Sequence, residues 1–429
     1  YIYFSGNLRA EAVAEAANND PGEQAAADDE APKPPRTFID RVKIETGEVQ
    51  RVFATSESAY ETVSSIDGDE LNQVFVVRQD RNVVPDYFVH DTSNKEKLVA
   101  ENAAKPAEPS AEKTDAGDAK KAVPAPVVEP KRLTTNKNYT PWYNSLRVEF
   151  IQVTRVDGFK FWVKVTSNPD YGQKLPAMFW FYPREYTDQA TYDTGANQTR
   201  RSFTESFRFQ RPSNRSMAML TQLGYVVIEP DLPIVGETGR MNDNYVTDLR
   251  NGLWAVIDEL DKRNIIDRDR LAIGGHSYGA FSTGNAMAHT PFFKAGIAGD
   301  GCYSRTLTPM SFQTERRHYW DARETYDSMS PFNYANQVNG AMLMYHGMED
   351  ANAGTFPINS ERMFQALDGL GKPTSLYMYP YEAHGPAARE TILDMWARWV
   401  VWLDHYVKNP EPPKAAPVVN TSTPTPTGN

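Results

Sequence analysis

Residues 271–289 limit this chain to few folds. Leu271-Ala272-Ile273 is a short apolar run that reads as a buried strand. Gly275-His276-Ser277-Tyr278-Gly279 follows and fits Gly-x-Ser-x-Gly, and residues 280–289 then read as a helix. Glycine and serine are common, so those five residues alone say little. Between a strand and a helix they describe a sharp turn that holds a serine in a strained backbone conformation, a nucleophile elbow. The flanking glycines are needed because side chains there would collide with the packed strand and helix.

Composition supports a large core around that turn. The 429 residues allow two or more domains, and 40% hydrophobic with 12% aromatic residues fill them. A net charge of -11 argues against nucleic acid or an anionic membrane as partner. Cys302 is the single cysteine, so no intrachain disulfide or cysteine-based metal site can form. No cofactor or metal is expected. No run of about 18 apolar residues occurs, so no transmembrane helix is expected. Residue 1 is Tyr and no signal peptide is visible. The expectation is a soluble chain that begins inside a longer or processed polypeptide, periplasmic or secreted if the source is bacterial.

The chain divides by composition. Residues 1–4 read as a strand stub and 5–35 as a flexible acidic insertion without an aromatic residue, completing a first segment, 1–35. Within 36–135, residues 37–44, 49–54, 73–78 and 86–91 are short β-rich runs, which suggest a sandwich or propeller blades. Residues 101–131 are a second disordered insertion, rich in Ala, Pro, Glu and Lys. From 136 to 408 strands alternate with helices. Strands are expected at 147–155, 159–166, 175–182, 225–228, 271–273, 294–298, 341–345 and 375–379. Helices are expected around 246–260, 280–289, 360–370 and 387–407. That alternation predicts an α/β fold with a mostly parallel, doubly wound sheet. Residues 409–429 are a Pro/Thr-rich tail expected to be disordered.

A serine hydroxyl is a weak nucleophile at neutral pH. It needs a base within hydrogen-bond reach, and the base needs an orienting carboxylate. With this turn the chain order is Ser, Asp/Glu, His. Of seven histidines, His90 lies upstream, His276 adjoins Ser277 and should point elsewhere, and His289 ends the elbow helix. His318 sits among charges, His346 has no obvious acid before it, and His405 lies in the last helix. His384 follows a strand and precedes a helix, as a catalytic loop residue should; a loop histidine held by backbone fits the same spacing. Asp350, in the loop after strand 341–345, fits the acid, with Asp300 and Glu349 as alternatives.

Four segments together are specific: Gly274-Gly275-His276-Ser277-Tyr278-Gly279-Ala280-Phe281, Arg305-Thr306-Leu307-Thr308-Pro309, His346-Gly347-Met348-Glu349-Asp350-Ala351-Asn352 and Glu382-Ala383-His384-Gly385. Over residues 142–408 the chain resembles the prolyl oligopeptidase family of serine peptidases, and within it the glutamyl endopeptidase branch. Arg36-Thr37-Phe38-Ile39-Asp40-Arg41 looks like that family's blade motif. The resemblance implies an α/β-hydrolase catalytic domain preceded by the last blades of a β-propeller. It implies Ser277 as nucleophile, Asp350 as orienting acid and His384 as general base. The oxyanion hole would combine the Tyr278 backbone N–H with the hydroxyl of Tyr182. It also implies peptide substrates, cleaved after glutamate and by extension aspartate. Arg200 lies in the place matching an arginine-bearing segment of that branch, with Arg184 and Arg201 as the other candidate cations. Residues 36–135 are too few for a propeller of about four to eight blades. The remaining blades are expected in the same polypeptide or on a separate chain. An esterase or acylaminoacyl peptidase would use the same apparatus, and a scaffold without turnover would keep the same fold.

Overall fold

The elbow strand lies at the middle of an eight-stranded sheet. This follows from a computed structural model that describes residues 2–8, 36–55, 59–67, 71–92, 130–204 and 207–409, with the backbone alone at 2, 6–8 and 197–204. Most of the two expected insertions, and the tail from residue 410, lie outside the described residues. Two compact units divide the chain: residues 1–144 with 203–211, and 145–202 with 212–429.

The first unit holds two antiparallel sheets. Ile2–Leu8, Arg36–Val42 and Val49–Ala54 form one, and Tyr60–Asp67, Gln73–Gln79, Asp86–Asp91 and Lys131–Arg132 form the other. Ile39, Val52, Phe53, Leu71, Val74 and Val76 make its core. The first strand runs to Leu8, beyond the expected stub, because its whole length pairs with Arg36–Val42. Tyr60–Asp67 was not expected as a strand. Its Glu61 is buried, and Arg78 (2.7 Å) and His90 (3.3 Å) satisfy the carboxylate.

The second unit is an α/β-hydrolase sheet. Its strands are β1 (Arg147–Thr154), β2 (Lys160–Ser167), β3 (Leu175–Trp180), β4 (Val226–Pro230), β5 (Ile266–His276), β6 (Ala295–Gly299), β7 (Ala341–Gly347) and β8 (Thr374–Tyr379). They lie in the order β1-β2-β4-β3-β5-β6-β7-β8. β2 runs antiparallel to both its neighbours; every other pair is parallel. Its longer helices are α1 (Gln189–Thr204), α2 (Tyr245–Lys262), α3 (Tyr278–His289), α4 (Ile358–Gly369) and α5 (Arg389–Leu403).

The strand period of two puts successive side chains on opposite faces, and both faces are buried. Ala177, Phe179, Leu271 and Ile273 pack with Leu253, Val256 and Phe281 of α2 and α3. Met178, Ala272 and Ile297 pack instead with Trp396 and Trp399 of α5. That is why β6 and β7 are buried along their whole length. β5 begins five residues before the expected run, because Ile266 already pairs with Leu175; the register then shifts, residues 267–270 are passed over before Leu271 pairs with Ala177, and Asp267 and Arg270 pair with each other at 2.8 Å. α1 and the short parallel pair Arg184–Tyr186 with Pro233–Val235 carry too little apolar periodicity to be legible.

Candidate active site

Three loops at the C-terminal ends of β5, β7 and β8 carry Ser277, Asp350 and His384, the edge where sheets of this kind place their sites. Ser277 joins β5 to α3 with φ 59° and ψ -118°, a strained conformation for a non-glycine residue. Its N–H donates to the Gly299 carbonyl at 2.8 Å, tying the elbow to β6. Two glycines make the turn possible. A Cβ on Gly275 would lie 2.5 Å from the Gly279 carbonyl carbon, and one on Gly279 would lie 2.4 Å from the Phe181 carbonyl oxygen. Gly279→Ala must therefore displace backbone that leads into Tyr182. Its expected cost is about 3 kcal/mol, read from denaturant midpoints. A midpoint equal to wild type would show that this strand end yields freely.

Asp350 is buried, and its Oδ2 collects several donors. His384 Nδ1 lies at 2.8 Å, Thr355 Oγ1 at 2.9 Å and His346 Nε2 at 3.1 Å. Oδ1 accepts the Asn352 N–H at 2.9 Å. Burial alone would raise the carboxyl's pKa, but the hydrogen bonds from His384, Asn352 and Thr355 hold it below the usual value. A carboxylate only accepts, so His384 Nδ1 carries the hydrogen and Nε2 is left as the acceptor. Glu349 is exposed. Asp300 ends up elsewhere: Oδ1 accepts the Gly347 N–H at 2.8 Å, and Oδ2 lies 3.3 Å from His276 Nδ1. Among the three acids weighed from sequence, the carboxylate on His384 is that of Asp350.

Two histidines behave unlike their sequence reading. His276, expected to point away, has its ring 4.7 Å from that of His384, centroid to centroid. This brings the residue before Ser277 against the proposed base. His346, which had no obvious acid, donates to Asp350 four residues on, while its Nδ1 sits 2.7 Å from Ser360 Oγ. Burial lowers its pKa despite the neighbouring Asp300 and Asp350, which favours the neutral ring. Ligand atoms of Asp300, His346 and Asp350 lie within 4.8 Å of one another. His346 already engages both ring nitrogens, so the cluster reads as hydrogen-bonded support for Asp350.

Tyr278 is the first residue of α3, and a first helical N–H has no intrahelical acceptor. Tyr182 packs its ring 5.6 Å from that of Tyr278. Gln313 Nε2 donates to Tyr182 Oη at 2.8 Å, so the phenolic hydrogen remains to be donated. Of the arginines singled out from sequence, Arg184 is exposed and interacts with Tyr186 and Asp231. Arg200 and Arg201 fall on α1, and their side chains lie outside the described residues. Sequence reasoning gave no role to Arg305. It is 3% exposed, with its guanidinium 4.1 Å from the ring centres of both Phe281 and Phe312 and 5.4 Å from that of Tyr278.

The chain has relatives among known proteins. Residues 211–410 match the sequence model of the prolyl oligopeptidase family. The chain is 37% identical over 282 residues to a probable chloroplastic glutamyl endopeptidase of Arabidopsis thaliana, which covers 64% of this chain and 29% of that protein. Its counterpart in Oryza sativa subsp. japonica is 38% identical over 273 residues, 62% of this chain and 28% of that one. The chain thus spans under a third of the length of these relatives. A puromycin-hydrolyzing peptidase of Mycobacterium tuberculosis shares the fold with a TM-score of 0.53 at 18% identity, over 89% of this chain and 52% of that one. An acylaminoacyl peptidase of Pyrococcus horikoshii does so with a TM-score of 0.51 at 14% identity, over 88% of this chain and 55% of that one. No helix among the described residues is long and apolar enough to cross a membrane.

Proposed function

We propose a serine peptidase activity for this chain, which belongs to the prolyl oligopeptidase family. Ser277 Oγ attacks the scissile carbonyl while His384 Nε2 takes its proton. His384 returns that proton to the leaving amine, and an acyl-enzyme remains on Ser277. Water, deprotonated by His384, then releases the acid product. Asp350 fixes the tautomer and orientation of His384 and stabilises its charged form. The observation that carries this reading is the 2.8 Å hydrogen bond between Asp350 and His384, whose ring lies against the residue preceding the strained Ser277. The Tyr278 N–H and Tyr182 hydroxyl would receive the oxyanion. Peptides are the substrates in this reading, with glutamate before the scissile bond. The glutamyl endopeptidase relatives at 37% and 38% identity support that preference.

The test is kcat/KM for matched peptides carrying Glu, Gln or Leu before the scissile bond, alongside short acyl esters. Preference for Glu is expected. Preference for Leu overturns the glutamate reading, and turnover of esters alone makes the chain an esterase. Failure of a fluorophosphonate to label Ser277 would leave only a binding scaffold. Tyr182→Phe should lower kcat by on the order of 10²–10³-fold, because one oxyanion donor is lost. A rate within a few fold of wild type would assign Tyr182 to packing alone.

A further inference from the structure

We infer that Arg305 is the cation that grips the side-chain carboxylate of the residue before the scissile bond. This rests on the glutamate reading above and supplies the residue that reading lacks. Arg305 is buried, yet among the described residues no acidic side chain pairs with it, and its Nε has no hydrogen-bond partner. A buried guanidinium without an anion is costly, and such groups are normally paired. Neither nearby acid bonds it, and Glu185 acts on Arg305 only through space. Glu185 accepts the Tyr278 hydroxyl at 3.1 Å, and buried Glu315 is bound by Arg317 at 2.7 Å. Phe281, Phe312 and Tyr278 hold the guanidinium through their ring faces, which positions the charge without cancelling it.

Its position suits the role. Arg305 follows β6 by six residues, and Gly299 at the end of β6 pairs in register with His276 at the end of β5. One of the rings that hold it belongs to Tyr278, the residue after the nucleophile. A carboxylate entering a protein of net charge -11 needs such a local cation, and the planar fork of arginine matches it with two parallel hydrogen bonds.

The experiment compares wild type, Arg305→Met and Arg305→Lys in the full chain, with active sites counted by fluorophosphonate labelling of Ser277. The readout is the ratio of kcat/KM for the Glu peptide over the Gln and Leu peptides. Arg305→Met should lower the Glu/Gln ratio by about 10²-fold, and Arg305→Lys should lower it less because charge remains. If wild type prefers Glu and Arg305→Met keeps that preference, Arg305 is not the receptor and the glutamate reading stands. If wild type prefers Leu, both fall. Should the Arg305 variants not fold, Ser277→Ala protein crystallised with a product peptide ending in glutamate decides. The side-chain carboxylate within hydrogen-bond distance of the Arg305 guanidinium supports the assignment, and its seat on another residue overturns it.

Discussion

Replacing Ser277 by alanine is expected to lower kcat by about 10⁶-fold, the scale on which nucleophile loss acts in such triads. The fold should survive. Alanine keeps the Cβ that the turn already accommodates, and the strained φ of 59° is as demanding for one as for the other. The backbone bond from residue 277 to Gly299 does not involve the side chain. The unfolding midpoint of the variant should therefore lie close to that of wild type while fluorophosphonate labelling disappears. Purified variant that keeps more than roughly a hundredth of wild-type turnover, well above the residual rate left by an oxyanion hole alone, would remove Ser277 from its role.

What the sequence made legible follows from what each residue needs. The central strands could be read because both faces are buried, so β7 is apolar almost throughout, as in Met342-Leu343-Met344-Tyr345. The start of β5 could not, because Asp267 and Arg270 satisfy each other on the surface and look like a loop. Ser277 and His384 were accessible through a local motif and chain order. For the acid, chain order and spacing leave Asp300 and Glu349 beside Asp350, and only the family resemblance singles out Asp350; in the fold the three differ by 2.8 Å to His384 for Asp350, a turn toward His276 for Asp300 and exposure for Glu349. His346 has no acid before it in the chain order, and its partner comes four residues later. Arg305 stood inside a recognised segment without a role, since its distinguishing property arises only on folding. It is a buried charge surrounded by rings from α3 and from Phe312, and no local pattern records that.

Asp350→Asn should lower turnover by about 10⁴-fold, because His384 loses the acceptor that fixes its tautomer. The geometry makes the replacement awkward in both amide orientations. With its NH₂ at the Oδ2 position, asparagine meets the hydrogens of His384, Thr355 and His346. With NH₂ at the Oδ1 position it meets the Asn352 N–H. One donor therefore always faces another, and His384 is pressed toward the tautomer with hydrogen on Nε2, which cannot accept the proton of Ser277. Stability should respond to pH with a definite sign. The folded carboxyl titrates below its unfolded value, so its contribution is present above about pH 4 and is lost as pH falls through the folded pKa. The stability gap between wild type and Asp350→Asn should accordingly narrow on acidification below about pH 4. Asp300→Asn is the control. It keeps one oxygen that can still accept the Gly347 N–H, places NH₂ where Oδ2 faces His276, and does not touch His384 Nδ1. If Asp300→Asn brings the 10⁴-fold loss and Asp350→Asn does not, the orienting acid is Asp300 acting through His276, and the hydrogen bond to His384 is structural.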